Sequence, residues 1–298
     1  ALESELKKTE SLEEEWKKTQ KEAEKLGIYV LPMPFYIDDT CYYEDINLAR
    51  EEFFEKMKAG SHVSTSQPGP EEVMKIWEKA LKEHEQILYI PLSSALSGSC
   101  QTAQMLAQEE PYAGRVFVVD NGRVSATQHR SVLDALELIE EGYTAAQIRQ
   151  MLEEARAKNT IYIGVQDLEY LKRGGRISRA TAALGSVLNI KPVLQFDVGT
   201  LDTYKKCRGF VQAKKVMIDA MKQEFATKFK EEVRRGEAYL LAATSATAEE
   251  SEKWLEDIKK AFPGMTVLYD KLSLGVSCHI GPGGLGIGCS CRPKRITR

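Results

Sequence analysis

Short apolar runs alternate with amphipathic stretches along most of this chain, and the alternation sets the first expectations. Residues 1–25 hold eight Glu and six Lys, with Leu2, Leu6, Leu12, Trp16, Ala23 and Leu26 at helical intervals. This predicts a charged surface helix, or two short ones, with a thin apolar stripe, ended by Gly27. Residues 28–32 read as a strand, and Tyr36-Ile37 extends the pairing. A helix carrying Phe53, Phe54 and Met57 follows, capped by Asp45 or Asn47 and stopped by Gly60. The next helix, 71–83, sets Val73, Ile76, Trp77 and Leu81 on one face. Then come a strand at 87–92, a helix over 101–107 and a buried strand at 116–119. Two helices, 125–141 and 144–158, close this half, the second with Thr144 as N-cap. Such β–α alternation predicts a parallel sheet with helices on both faces.

A new unit starts with the apolar run 160–165, so the expected division is an N-terminal α/β domain, 1–158, and a second α/β domain, 159–298. Asp167 caps a helix ending at Gly174-Gly175, and 184–190 is a short apolar segment. Residues 191–196 and 201–203 form a hairpin around Asp197-Val198-Gly199-Thr200. A long helix over 210–235, a strand at 239–243, a helix at 248–262 and a strand at 266–269 complete a second layer. The sequence shows no internal repeat.

Composition narrows the classes. The chain has 298 residues, 43% of them hydrophobic, and a net charge of −3. At roughly 100–200 residues per domain this suits two domains with full cores. Interspersed Lys, Arg and Glu argue against a broad nucleic-acid face. No apolar run reaches the ~18 residues of a membrane span, and the charged start predicts no signal peptide. Six scattered cysteines (Cys41, Cys100, Cys207, Cys278, Cys289 and Cys291) fit reduced thiols of a cytoplasmic protein. Cys289-Ser290-Cys291 and Cys278-His279 lack the second ligand pair of a structural metal site. Buried small side chains are the expected role, and neither a metal nor a cofactor is expected.

The candidate chemistry lies in three loops of small and hydroxyl residues: Ser64-Thr65-Ser66-Gln67-Pro68, Ser93-Ser94-Ala95-Leu96-Ser97-Gly98-Ser99, and Cys278-His279-Ile280-Gly281-Pro282-Gly283-Gly284. The second directly follows a predicted strand, where α/β folds gather their ligand crevice. Neutral hydroxyls and backbone N–H groups there suit a carboxylate or a phosphate-like oxygen. Turn chemistry explains any one such loop equally well.

Read in order, Ser64–Pro68, Leu92–Ser99, Leu171-Lys172-Arg173-Gly174-Gly175-Arg176-Ile177, Lys191-Pro192-Val193-Leu194 and His279–Gly286 resemble the DegV family of bacterial fatty-acid-binding proteins, typified by the FakB subunits of fatty acid kinase. The resemblance spans residues ~26–290 and rests on five ordered motifs, each weak alone. It implies a two-domain DegV-like α/β fold with one fatty acid between the domains, presented to a separate kinase subunit of the FakA type that makes an acyl phosphate. It further implies carboxylate contacts from Thr65, Ser97 and His279, with Ser66, Ser94 and Gly98 beside them. A C16–C18 chain such as palmitate needs an apolar tunnel, for which Ile161, Ile163, Leu168, Ile177, Leu184, Leu188 and Val193 are candidates; each is equally explained as ordinary core. Arg173 and Arg176 either approach the phosphoryl donor or partner subunit, or support a helix C-terminus. The chain departs from the family pattern at its start, which lacks a strand with an Asp-Ser turn, and at Asp120-Asn121, where the family has Asp-Ser.

The competing reading is a lipid hydrolase or acyltransferase with Ser97 or Ser94 as nucleophile. No G-x-S-x-G elbow accompanies it. A nucleotide-using kinase lacks its phosphate loop. The expectation carried forward is a carrier without its own catalytic apparatus.

Overall fold

In the computed structural model, which describes residues 2–178, 181, 190–197 and 199–297, the charged start is one helix, α1 (Leu2–Leu26). Leu12 and Ala23 on its apolar stripe are buried. Residues 28–34 then run without strand pairing, contrary to the strand expected at 28–32. Ile28 to Leu31 reach their apolar surroundings by lining a cavity instead of joining a ladder.

A small antiparallel sheet follows, in the order β2-β1-β3, from β1 (Phe35–Ile37), β2 (Thr40–Tyr42) and β3 (Val63–Thr65). Asp38 and Asp39 join β1 to β2 with φ of 47° and 66°, the doubly left-handed turn that matches strand twist. Between β2 and β3 lies α2 (Arg50–Lys58). Its N-cap is Ala49 and makes no side-chain cap bond. Neither Asp45 nor Asn47 caps it, since Asn47 Oδ1 is taken by the Tyr43 amide at 2.7 Å.

The next elements are α3 (Pro70–Leu81), β4 (Ile87–Tyr89), α4 (Ser99–Leu106), β5 (Val116–Val118), α5 (Ser125–Glu140) and α6 (Ala145–Glu154). β4 and β5 pair in parallel with helices on both faces, as the β–α alternation predicts. Val73, Trp77, Cys100 and Ala103 pack on one side; Leu138, Ile148 and Met151 pack on the other. Thr144 caps α6 as expected, its hydroxyl accepting from the Gln147 amide at 3.3 Å.

The remaining chain gives β6 (Asn159–Gly164), α7 (Glu169–Gly174), β7 (Ile190–Asp197), β8 (Thr200–Arg208), α8 (Phe210–Ala226), α9 (Lys230–Arg234), β9 (Ala238–Thr244), α10 (Ala248–Ala261), β10 (Val267–Lys271), α11 (Leu274–Ile280) and β11 (Leu285–Cys291). The predicted hairpin is β7–β8. The single helix expected over 210–235 is two, α8 and α9, parted at 227–229, where Phe229 is fully buried. The strands form one six-stranded sheet, β10-β9-β11-β6-β7-β8, parallel at β10–β9 and antiparallel elsewhere.

β11 has no counterpart in the expectations, and it holds the middle of this sheet. Its pleat sorts its residues by parity. Leu285, Ile287, Cys289 and Cys291 enter the core with Met217 of α8 and Trp254 of α10. Gly286 and Gly288 line the cavity on the opposite face. The Cys-x-Cys spacing therefore puts both thiols in one apolar core, where burial pushes the Cys289 thiol well above its ordinary range. Arg123, fully buried, ties the two halves: its guanidinium donates to Ser290 Oγ of β11 at 2.6 Å and to Ser131 Oγ of α5 at 3.1 Å.

Candidate functional site

Thr65 closes β3, and its Oγ1 is hydrogen-bonded to His279 Nε2 at 2.8 Å. His279 belongs to the last turn of α11 rather than to the glycine-rich loop, which begins at Gly281. That helix is capped by Ser273, whose hydroxyl accepts from the Val276 amide at 3.4 Å. It ends at Gly281 with φ 75°. A side chain at Gly281 would also lie 2.4 Å from the Tyr170 ring of α7. Burial, with the nearby Arg176 charge adding to it, pushes the His279 imidazole down to about 4. Its Nδ1 is buried without a partner among the described residues.

The second loop turns into α4. The Leu96 and Ser97 amides both donate to the Ser93 carbonyl, at 2.9 and 3.1 Å. Ser97 Oγ accepts from the Ser99 amide at 3.2 Å and donates to Ser99 Oγ at 3.0 Å. Ser97 thus stands at the mouth of α4, where the first free amides of a helix favour an anion. Gln67, just after Thr65, joins this loop to the first: its Nε2 donates to Thr102 Oγ1 at 3.0 Å, and its Oε1 lies 3.1 Å from the place a side chain at Gly98 would fill. Arg176 joins the loop to the third motif, its Nε donating to the Leu96 carbonyl at 3.2 Å. The same guanidinium donates to the Gly174 carbonyl.

Ser94 takes another direction. Its hydroxyl donates to Asp120 Oδ2 at 2.7 Å, and Arg156 holds the same oxygen at 3.1 Å. Burial alone would raise the Asp120 carboxyl, but these hydrogen bonds and the Arg156 charge hold it below its usual range. Ser94 is therefore committed to Asp120 and does not line the cavity.

The loops open on a cavity of about 1100 Å³. Thr65, Ser66, Ser97, Gly98, Arg176 and His279 all line it, so these candidates are gathered in one place. Ile161 and Ile163 of β6 line it, beside Phe196 and Leu201 of the hairpin and Leu241 and Ala243 of β9. The cavity continues along 28–31, 87–92, Ala135, Ile139 and Ile148.

Among the described residues, Val193, Leu168 and Ile177 lie elsewhere. Val193 is opposite Gly164 in the ladder, and that pair faces α8: a side chain at Gly164 would meet Met217 at 3.3 Å. Val193 accordingly packs with Tyr162 and Met217, and the cavity face of β7 belongs to the other parity, which carries Phe196. Leu168 is core beside Leu171 and Ile280, with Ile177 packed against the same cluster. Leu184 and Leu188 fall outside the described residues. Arg173 is exposed and lies over the Tyr170 ring at 5.2 Å, away from the cavity. Gln67 and Phe196 were missed by sequence reasoning; the alternation within 190–197 was the available signal for Phe196.

Chemically, the site offers hydroxyl donors and one guanidinium at the head of a long apolar space. It lacks the Ser–His pair of a hydrolase among these residues: His279 bonds Thr65, Ser97 bonds Ser99 and Ser94 bonds Asp120. No helix among the described residues is long and apolar enough to cross a membrane.

Known proteins match this chain in sequence and fold. The family profile described as an uncharacterised protein, DegV family, matches residues 17–291. A DegV domain-containing protein of Staphylococcus aureus is 31% identical over 278 residues, covering 92% of this chain and 94% of its own. Among solved structures, a fatty-acid-binding DegV family protein from Thermus thermophilus superposes with a TM-score of 0.79 at 31% identity, covering 91% of this chain and 95% of its own. A fatty-acid-binding DegV family protein from Streptococcus agalactiae gives 0.77 at 28% identity, with 90% and 92% covered.

Proposed function

The chain belongs to the DegV family, and from that membership we propose that it binds one long-chain fatty acid, with the carboxylate at Thr65, Ser97 and His279 and the tail in the cavity over β6, β7 and β9. The observation that carries this reading is the meeting of Thr65 and His279 at the polar end of a 1100 Å³ apolar cavity.

The proton arrangement favours an anion. With Nδ1 buried and unpartnered, the cheaper tautomer keeps the imidazole proton on Nε2 and leaves an unused acceptor, not a stranded donor. Nε2–H then donates to Thr65 Oγ1, which frees the Thr65 O–H for the ligand. Ser97 turns its hydroxyl from Ser99 toward the second carboxylate oxygen. Ser66 and Gly98 stay beside the head group. Ser94 acts at one remove, holding the loop through Asp120. Arg176 supplies the positive charge that a neutral His279 does not.

The tail supplies the affinity. Burying ~16 methylenes at ~0.8 kcal/mol each contributes about 13 kcal/mol before the cost of ordering the chain. At about 30 Å³ for each methylene-sized group, the share a water takes in the liquid, an 18-carbon acid fills roughly 600 Å³. The cavity thus takes C16 and C18 chains alike, and the polar end rather than a hard stop fixes the register.

The protein acts on this reading as a carrier in the cytoplasm, where its six free cysteines stay reduced. It presents the carboxylate to a separate kinase subunit of the FakA type, which phosphorylates it. Arg173, exposed and outside the cavity wall, is the residue offered to that partner. The test replaces Thr65 and Ser97 together by alanine. The double variant is expected to fold normally, to lose about tenfold or more in fatty-acid affinity from two missing hydrogen bonds, and to stop supporting acyl-phosphate formation with a kinase subunit. Full activity of the double variant would refute the head-group assignment.

A further inference from the structure

Gly174 and Gly175 sit side by side at the end of α7, and they are glycines for different reasons. Gly175 has φ 66°, a left-handed cap with open space where a side chain would stand. Gly174 is the last residue of the helix, and its backbone would suit alanine better than glycine. What excludes a side chain there is room: a Cβ on Gly174 would lie 2.0 Å from His279 Nδ1 and 2.8 Å from Cε1.

We propose that Gly174 is a positioning residue for His279: its bare Cα is the seat against which the imidazole rests so that Nε2 meets Thr65. This rests on the fatty-acid reading above and deepens it. The ring bonds Thr65 at Nε2, and on its other side Nδ1 stands where a side chain at 174 would be. To restore ordinary contact at 3.4 Å, a methyl group at 174 must drive the ring away by about 1.4 Å. A hydrogen bond of 2.8 Å does not survive a shift of that size without the partner following. Gly174 also presents its carbonyl to Arg176, which in turn holds the Leu96 carbonyl at 3.2 Å. One turn of chain thereby sets the third motif against the hydroxyl loop and the histidine together.

The test is a double-mutant cycle of Gly174→Ala and His279→Ala, read by palmitate affinity and by the NMR titration of His279, assigned with the His279→Gln variant. Gly174→Ala alone is expected to weaken palmitate binding about tenfold, the scale of one lost hydrogen bond, and to move the His279 midpoint upward from about 4 as the ring leaves its buried seat. In the His279→Ala background, Gly174→Ala is expected to add nothing further. If Gly174→Ala alone fails to fold while the double variant folds, the ring is the obstacle and the inference stands. It is overturned if Gly174→Ala leaves the titration unmoved, if it weakens binding equally with and without the imidazole, or if neither variant folds. Absence of palmitate binding in the unmodified protein would refute the fatty-acid reading, while the titration shift would still decide the seat.

Discussion

His279, proposed above to hold the head group, carries a pH signature. Its imidazole is pushed down to about 4 in the folded protein, by burial first and by the Arg176 charge second, against roughly 6.5 in an unfolded chain. Above that unfolded value neither state holds the proton, so the shift has no effect. As pH falls from about 6.5 toward 4, the unfolded chain takes up a proton that the folded one refuses, and stability is lost. The loss is at most about 3 kcal/mol from this group. His279→Gln should flatten that part of the profile relative to the unmodified protein, measured by denaturant unfolding without ligand from pH 7 to 4. Equal slopes for the two proteins would show that the imidazole is not buried as a neutral group. Asp134 and Glu44, whose carboxyls burial raises, slope the opposite way and are common to both proteins, so the difference isolates His279.

At the scale of elements, the cavity is built from strand parity. Ala243 of β9 is nearly buried yet borders the cavity, so Ala243→Phe should fill apolar space. The variant is expected to keep or gain thermal stability and to lose fatty-acid binding by more than about tenfold, since the burial term dominates the affinity. Unchanged binding would put the tail elsewhere. A second expectation concerns β4. Its ladder to β5 uses Ile87 and Tyr89: the Ile87 amide donates to Arg115, and the Tyr89 carbonyl accepts from Val119. Alternation turns the Leu88 and Ile90 amides to the other edge, which the cavity follows. Hydrogen exchange should be faster at Leu88 than at Ile87 in the ligand-free protein; equal protection would mean that this edge is covered.

The same parity explains what was legible in the sequence. Long periodic helices such as α3, α5 and α10 were plain from their apolar stripes, and Thr144 from its cap chemistry. Thr65, Ser97 and His279 stood out because hydroxyl loops in that order match a family, although the helical setting of His279 did not. β11 was hidden because Leu-Gly-Ile-Gly-Cys-Ser-Cys alternates core residues with glycines, and glycine weakens any strand signal. The three-residue strands β1 to β3 are too short for a periodic signature. Val193 was named and Phe196 was not, although Lys191, Gln195 and Asp197 share the parity of Val193 and Leu194 shares that of Phe196; the adjacent apolar pair Val193-Leu194 masks that alternation.

For the whole molecule, the cavity is lined from both halves of the chain, by Thr65, Ser97 and Ala126 of the first and Ile163, Phe196 and Leu241 of the second. A ligand there binds the folded state alone. At a free concentration a hundredfold above its dissociation constant, a fatty acid should stabilise the protein by about 2.7 kcal/mol, read as a rise in Tm. The Thr65→Ala, Ser97→Ala protein should show a smaller rise at the same concentration. A dicarboxylate too polar for the apolar lining should give none.

The proposed ligand is an acyl chain filling an apolar space beneath a ring of hydroxyls. The direct measurement is extraction of the purified, folded protein with mild organic solvent, after loading with palmitate, and quantitation by mass spectrometry. One intact fatty acid released per chain is the result this account predicts. No retained lipid, or an acyl group left covalently on Ser97 or Ser94, would contradict it.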